Sequence, residues 1–236
     1  MRNAVRLFYV VCVWTLAGSA SASARAPVLV ELFTSQGCAS CGAADPLIRK
    51  LADRPNVIAV TWSVDYWDYL GWKDTFAKPE FTDRQRAYDK RFGLQDVYTP
   101  QVIVGGAAQA SGDSSTDVES LVGKALRQQP VGPKIRFLST SRVAVGAGDR
   151  RAGTAEVWLI RYDPKEQDVE IKDGDNRGKT VVRYNVVQEC VRLGVWRGVP
   201  TTYKMSPPSE EGLSSLVVVQ GVRGGRIVGL AKRTAS

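Results

Sequence analysis

A Cys-x-x-Cys pair directly after a short apolar run constrains this chain more than any other sequence feature. Residues 28–33 are apolar except for one glutamate, and Cys38 and Cys41 follow a Thr-Ser-Gln-Gly turn. Such a run is typical of a central parallel strand that is buried on both faces. Apolar positions at helical spacing predict a helix over residues 39–52, with Pro46 inside it, where a proline is expected to bend a helix. The pair is therefore predicted to lie between a buried strand and the start of a helix.

Two thiols separated by two residues can form a disulfide with little backbone movement, and their position makes the first of them reactive. A cysteine at a helix N-terminus faces unpaired N–H groups and the positive end of the helix dipole. Both effects stabilise the thiolate and can lower the thiol pKa from about 8.5 to roughly 3.5–7.5. We therefore predict that Cys38 points outward and attacks as a thiolate, and that Cys41, one helical turn further in, resolves the mixed disulfide.

The chain has no histidine among its 236 residues, which removes whole classes of function. Ser-His-Asp and Cys-His catalysis, haem bound through histidine and histidine-containing copper or zinc sites are excluded. Because Cys12 lies in an N-terminal segment that is expected to be removed, a zinc site would have to use the other three cysteines and a carboxylate, so we predict neither a metal nor a cofactor. The sequence also lacks a glycine-rich phosphate loop and a basic stripe interleaved with aromatic residues, so nucleic acid is not an expected partner.

Residues 1–26 differ in composition from the rest of the chain. They contain two early arginines, an apolar run over residues 7–17 and several small-x-small cleavage sites, which is typical of a secretory signal peptide. The apolar run is too short to span a bilayer as a helix, and a retained N-terminal anchor is the alternative. We predict a secreted or periplasmic protein without stable membrane insertion after signal removal. Its remaining thiols would be Cys38, Cys41 and Cys190.

Several features together resemble the active-site layout of the thioredoxin superfamily. They are the first strand, the cysteine pair at the start of the next helix, a proline five residues after Cys41, a second strand over residues 57–62, and Thr99-Pro100 before a further strand. The resemblance implies an α/β fold in which the Thr99–Pro100 bond is cis. It also implies that the loop around this bond lies against a Cys38–Cys41 disulfide.

Glu31 interrupts the first strand and carries a separate hypothesis. If that strand is buried, the carboxylate is desolvated and could take the proton of Cys41 during exchange. Thioredoxins place an acid on this strand beneath the disulfide, but the spacing to Cys38 is one residue longer here. The alternative is a strand-end glutamate that points to solvent or pairs with a lysine.

The segment over residues 64–97 is longer than in a minimal thioredoxin and is unusually aromatic at its start. Tyr66, Trp67 and Trp72 form either a substrate-facing wall over the disulfide or a cap packed on the sheet, and a helix is predicted over residues 78–92. The motifs GCASC, DYWDYLGWKD, RQRAY and VYTPQ also resemble an uncharacterised secreted thioredoxin-like family, domain of unknown function 1223. One departure is Gly-Ala directly after the second cysteine, where that family more often has two prolines.

From residue 134 onward the pattern changes to short apolar runs separated by turn signals. This change predicts a small all-β domain, a sandwich or a barrel. The predicted division is a signal peptide over 1–26, a thioredoxin-like domain over 27–130 with its insertion at 64–97, and a β-rich domain over 134–236. From residue 131 on, 18 basic residues stand against 11 acidic ones, which either a solvated basic face or an acidic partner would explain.

Two function classes compete. The first is a thiol–disulfide oxidoreductase in which Cys38 forms a mixed disulfide with a protein or small thiol client and Cys41 releases it. The second is a non-catalytic binding module in which the Cys38–Cys41 disulfide is a structural link, although a link that closes so short a loop stabilises little. Cys190 is predicted to be a buried free thiol, with an intermolecular disulfide as the alternative. The sequence leaves the direction of exchange and the oligomeric state open.

Overall fold

An eight-stranded mixed sheet runs through the protein, with helices on both of its faces. The structure, a computed structural model, describes residues 27–129, 131–149 and 153–235. The signal peptide predicted over residues 1–26 lies outside the described residues. The strands are β1 (Val28–Thr34), β2 (Val57–Ser63), β3 (Gln101–Val104), β4 (Ala108–Ser111), β5 (Ile135–Phe137), β6 (Arg142–Val145), β7 (Ala155–Asp163), β8 (Gln167–Glu170), β9 (Thr180–Arg183), β10 (Val186–Trp196), β11 (Thr201–Lys204), β12 (Ser214–Gly221) and β13 (Ile227–Arg233). The helices are α1 (Asp45–Ala52), α2 (Pro79–Phe92) and α3 (Ser115–Arg127), with short 3-10 helices at Cys41–Ala43 and Asp68–Leu70.

The first half of the chain contributes the four strands at one side of this sheet. The order across the sheet is β13-β12-β7-β10-β2-β1-β3-β4. β1 and β2 run parallel and are joined through α1, which confirms the predicted strand-helix-strand unit. β3 pairs antiparallel with both β1 and β4 and completes this side of the sheet. The protein therefore has a mixed α/β architecture with few helices.

Side chains of β1 alternate between two separate cores, because successive residues of a strand point to opposite faces. Val28, Val30 and Leu32 pack with α1 and α3 on one face of the sheet. Leu29 and Phe33 pack with α2 on the other face. All seven residues of β1 are buried, which confirms the prediction of a central strand covered on both faces.

The second half of the chain does not form a separate sandwich or barrel, which corrects the prediction. β7, β10, β12 and β13 instead continue the sheet of the first half beyond β2. The junction is a parallel pairing of Val186 with Thr61. Asn185 strengthens it, because its carbonyl accepts the N–H of Thr61 at 3.0 Å and its side-chain amide donates to Ala59 at 2.8 Å. β2 is buried throughout and would otherwise present an open edge, so the sheet is continuous across the predicted boundary near residue 130.

The remaining strands form two small sheets. β5, β6 and β11 form an antiparallel sheet that packs on β7 and β12 through an apolar cluster. β8 and β9 form a two-stranded hairpin. Residues 180–191 form one largely apolar run in the sequence, but the structure divides it at Asn185, whose φ of 50° lies in the left-handed region. This break separates β9 from β10 and from the main sheet.

The helices of the first half follow their sequence signals closely, with one difference at α1. α2 occupies almost the whole predicted range and ends at Gly93, whose φ of 70° is that of a left-handed cap. α1 begins only at Asp45, after the 3-10 helix, so Pro46 lies in the first helical turn. N–H groups of the first turn have no helical partner, so Pro46 removes no helical hydrogen bond and the cause of the predicted bend is absent. Within the described ranges, no helix is long and apolar enough to cross a membrane.

Candidate active site

The cysteine pair lies in the turn between β1 and α1, where the sequence predicts it. Cys38 and Cys41 form a disulfide, with their Cα atoms 5.4 Å apart. The N–H of Cys38 donates to the carbonyl of Ser35, and the N–H of Cys41 donates to the carbonyl of Cys38, at 3.3 Å each. The carbonyl of Cys41 in turn accepts the N–H of Ala44 at 3.0 Å. The pair is thus held by a succession of tight turns that lead into α1.

Both cysteines are buried, which corrects the prediction that Cys38 points outward. Cys38 is 2% exposed and Cys41 is fully buried, whereas the two residues between them are exposed. Cys38 nevertheless lines a cleft of about 310 Å³ between the start of α1 and β9. The cleft is lined by Cys38, Ala39, Gly42, Asp45, Pro46, Asn176 and residues 179–184. This cleft is therefore the open space next to the disulfide.

The Thr99–Pro100 loop lies against the disulfide, as the resemblance predicts. The Thr99–Pro100 bond is cis, and the Sγ of Cys38 lies 3.9 Å from the carbonyl oxygen of Thr99. Pro100 is buried and directly precedes β3. The indole N–H of Trp67 donates to the Oγ1 of Thr99 at 2.8 Å. The loop is thus held between the disulfide and the aromatic segment.

The aromatic segment supports the loop that leads to the pair. Trp67 packs on Gly37, where an added side-chain carbon would lie 3.5 Å from the Cβ of Trp67. The indole N–H of Trp72 donates to the side-chain oxygen of Gln36 at 2.9 Å. The ring of Tyr66 lies 6.2 Å from that of Trp67, and burial raises the pKa of its hydroxyl. That these three side chains contact substrate stays a prediction.

Asp74 is a buried acid at the same loop, and no spacing in the sequence marks it. Its carboxylate accepts the backbone N–H of Gln36 at 2.7 Å and that of Phe76 at 2.9 Å. Burial raises the pKa of Asp74, although both hydrogen bonds favour the charged form. Asp74 therefore fixes the backbone two residues before Cys38.

A contact from the second half of the chain also holds this loop. The side-chain amide of Asn176 donates to the carbonyl of Gln36 at 2.8 Å and to the carbonyl of Cys38 at 3.0 Å. Asn176 lies in the turn between β8 and β9 and is 138 residues away from Cys38 in sequence. No local pattern in the sequence marks this contact. The β8–β9 hairpin is therefore part of the surroundings of the disulfide.

Arg183 of β9 and Asp45 of α1 form a buried ion pair beside the disulfide. The side chain of Arg183 is 1% exposed and that of Asp45 is 8% exposed. Arg183 also donates to the carbonyl of Ser35 at 3.1 Å. Burial raises the pKa of Asp45 to about 6, and the charge of Arg183 opposes this rise. Asp45 lines the cleft, so the cleft contains a carboxyl group whose pKa burial raises to about 6.

Glu31 does not lie beneath the disulfide, which corrects its predicted role. Its neighbours Leu29 and Phe33 face α2, so its side chain points away from α1 and the cysteine pair. Its fully buried carboxylate accepts the Nε–H of Arg84 at 2.7 Å and the hydroxyl of Tyr88 at 2.5 Å. Glu31 is therefore half of a buried ion pair on the opposite face of the sheet, and its partner is an arginine rather than a lysine.

The third cysteine among the described residues lies outside the cleft. Cys190 in β10 is free, as predicted, but is only partly buried. Burial raises the pKa of the Cys190 thiol to about 11, while the charge of Arg84 opposes the rise. In the part of the chain that the structure describes, no group of three or more Cys, Asp and Glu residues could hold a metal ion.

Known proteins share this fold. Residues 29–220 match the profile of a family described as "Protein of unknown function (DUF1223)". A crystal structure of a protein from Agrobacterium tumefaciens is 31% identical, with a TM-score of 0.73 and coverage of 90% of this chain and 96% of that one. HBP35 of Porphyromonas gingivalis is 11% identical, with a TM-score of 0.59 and coverage of 89% of this chain and 76% of that one, and this likeness concerns the fold alone. No curated protein sequence matches the chain.

Proposed function

The chain belongs to the DUF1223 family, and from that premise we propose that it is a thiol–disulfide oxidoreductase with a thioredoxin-like arrangement around Cys38 and Cys41. One observation carries the proposal: the disulfide, an open cleft and the Thr99–Pro100 loop meet at a single place. A disulfide that closes so short a loop adds little to stability. Its position beside a cleft therefore favours exchange over a purely structural role.

The exchange can be written in two steps that balance. A client thiolate attacks the Sγ of Cys38, so that a client–Cys38 bond forms, the Cys38–Cys41 bond breaks and Cys41 leaves as a thiolate. A second client thiolate then attacks the client sulfur of this mixed disulfide, closes the client's disulfide and releases Cys38. Two electrons pass from the client to the pair, and the two protons of the client thiols end on Cys38 and Cys41. The reverse steps reduce a client disulfide.

In this proposal, Asp45 gives a proton to Cys41 or takes one from it. Cys41 is a leaving thiolate in one direction and an attacking thiolate in the other, so it has to gain or lose a proton. Asp45 is buried, lines the cleft and has a pKa of about 6, which suits proton exchange near neutral pH. Asp45→Asn should therefore slow the step at Cys41, whereas Glu31→Gln should leave it within about twofold of the original rate.

A second candidate function has an observation in its favour. Cys38 is 2% exposed, and Asn176 holds its carbonyl in place. These features favour a non-catalytic binding module in which the disulfide is a structural link. The two candidates differ in the reduction potential of the pair, because structural disulfides have potentials below about −300 mV and exchanging ones lie between roughly −120 and −270 mV.

The test combines that potential with a trapping experiment. We expect a potential within the exchanging range when the protein is equilibrated in glutathione buffers and the free thiols are counted by mass spectrometry. Cys41→Ser should accumulate mixed disulfides at Cys38, because the resolving thiol is missing, and Cys38→Ser is the matched control that should not. A potential below about −300 mV together with no trapped species would support the binding module instead.

We also propose that the exchange takes place in a secreted or periplasmic setting, which rests on the composition of residues 1–26. An oxidised pair fits such a compartment, because disulfides persist there and are rare in the cytosol. Fractionation of cells that express the full chain, followed by alkylation of free thiols, would measure both location and redox state. Reduced protein confined to the cytosol would contradict this part of the proposal.

A further inference from the structure

The β8–β9 hairpin has an open backbone edge on the side of β9. In the register of the two strands, the pair after Glu170 and Thr180 is Ile171 and Lys179. This pair is hydrogen-bonded, because the N–H of Ile171 donates to the carbonyl of Lys179 at 2.9 Å. Hydrogen-bonded and non-hydrogen-bonded pairs alternate along an antiparallel ladder. Thr180 and Val182 therefore occupy non-hydrogen-bonded positions, and their N–H and C=O groups point away from β8. Within the described ranges, these groups have no hydrogen-bond partner.

This open edge borders the cleft of the disulfide. Residues 180–184 all line the cleft, without a gap. A strand that presented only one of its faces would contribute alternate residues, because successive side chains point to opposite faces. The unbroken run of lining residues therefore places the edge of β9 at the cleft. Cys38 and Gly42, from the turn and 3-10 helix that precede α1, line the same cleft.

We infer that β9 is a docking strand for an extended, cysteine-containing segment of a client protein. The segment adds to the open edge through backbone hydrogen bonds and brings its sulfur to Cys38. The groups that line the cleft indicate this kind of client. The unpaired backbone groups of β9 can bind an extended chain, and the sulfur of Cys38 can react with a cysteine. The inference rests on the proposed exchange function and names the form in which that function takes its substrate.

The size of the cleft limits what can dock. β9 has four residues and spans roughly 13 Å at about 3.3 Å per residue, so it can pair with about four client residues. The volume of about 310 Å³ lies at the lower end of the range for ligand sites, roughly 300–1,000 Å³. A folded domain is too large to enter. The client therefore has to present its cysteine in a locally unfolded segment.

A pair of proline variants tests the docking strand. Val182→Pro removes an outward N–H from β9 without removing a bond to β8, and prolines are tolerated on such edges. Asp168→Pro is the matched control, because Asp168 pairs with Val182 and its N–H points outward on the far side of β8. The oxidised full chain is reacted with a reduced eight-residue peptide that contains two cysteines, and separately with dithiothreitol. Loss of the disulfide is followed by alkylation and mass spectrometry.

The ratio of the two rates is the readout. Val182→Pro should lower the ratio of the peptide rate to the dithiothreitol rate about fivefold, the effect of one ordinary hydrogen bond, and Asp168→Pro should leave the ratio as it is. Equal ratios in all three proteins, or an equal fall in both variants, would overturn the docking strand. A wild-type disulfide that reacts with neither reductant would instead overturn the proposed function itself.

Peptide variants keep the test decisive even where Val182→Pro fails to fold. Two peptides carry one N-methyl group each, at adjacent amides, so that only one of the two amides faces β9. Their rates with the wild-type protein are divided by their rates with glutathione disulfide, which removes intrinsic differences in reactivity. A difference of threefold or more supports pairing with β9, and equal corrected rates contradict it.

Discussion

Replacing Arg183 with methionine tests how a distant strand holds the loop of the redox pair. The guanidinium of Arg183 is 1% exposed, pairs with the carboxylate of Asp45 and donates to the carbonyl of Ser35 at 3.1 Å. Methionine is unbranched and flexible, so it fills the same space without the charge. The variant therefore removes an ion pair and one charged hydrogen bond while it leaves the apolar contacts of the side chain largely in place.

The expected loss depends on pH because Asp45 titrates at about 6 in the folded protein, compared with an ordinary value of 3.8. A raised pKa means that the folded state binds more protons, so stability falls as pH rises from about 4 to 6. At pH 5 the carboxyl is mostly protonated in both proteins, and the variant loses chiefly the hydrogen bond to Ser35, about 2 kcal/mol. Without Arg183 no nearby charge opposes the effect of burial, so the pKa of Asp45 rises further. The stability of the variant therefore continues to fall at pH values above 6.

The linkage between proton binding and folding sets an upper limit on the additional stability that Arg183→Met loses at higher pH. Between a pKa of about 6 and pH 7.5 lie about 1.5 pH units, and each unit corresponds to about 1.4 kcal/mol, so the extra loss is at most about 2 kcal/mol. The total at pH 7.5 is then about 4 kcal/mol, which agrees with the roughly 3–5 kcal/mol for breaking a buried ion pair. Urea unfolding of the oxidised protein, followed by tryptophan fluorescence at pH 5 and pH 7.5, measures both values.

Two controls make the result specific. Arg49→Met removes an ion pair with Glu166 in which the two side chains are 59% and 46% exposed, so it should leave the free energy of unfolding almost unchanged at either pH. Adding Asp45→Asn to Arg183→Met should abolish the difference between the two pH values, because the titrating group is gone. An equal loss at pH 5 and pH 7.5 in the single Arg183 variant would refute the reasoning.

Three further predictions concern other parts of the protein. Arg84→Met should lower the free energy of unfolding by about 3–5 kcal/mol, because it leaves a fully buried carboxylate on β1 unpaired, and a loss below about 1 kcal/mol in urea would contradict this. Gly112→Ala should cost about 1–3 kcal/mol in the same assay, because its new Cβ would lie 2.8 Å from the Cβ of Pro100, whereas Gly42→Ala meets nothing within 4 Å and should not destabilise the protein. Cys190, with a thiol pKa of about 11, should be alkylated at pH 8 at least about 100-fold more slowly than free cysteine, as measured by mass spectrometry, and a rate near that of the free amino acid would contradict the raised pKa.

The sequence by itself determined the order of the elements around the cysteine pair. An apolar run, a turn and helical spacing predict β1, the pair and α1, because each of these signals acts over a few residues. Gly93 marks the end of α2 for the same reason, since its left-handed φ is favourable for glycine. The Thr99-Pro100 sequence, read through the resemblance, also indicated which loop lies beside Cys38.

Only the tertiary structure decided what surrounds the pair and how the two halves of the chain join. Asn176 and Arg183 reach the loop across 138 to 148 residues of sequence, and no local pattern encodes such a contact. The surroundings of Glu31 depend on which helix covers its side of β1. The pairing of β10 with β2 depends on the edge of β2 that the first half of the chain leaves open. Periodicity shows that a strand has an apolar face or an open edge, but the segment that packs there is selected by competition among all parts of the chain. For this reason the cleft beside Cys38, with its titrating carboxyl and its open strand, exists only in the folded protein.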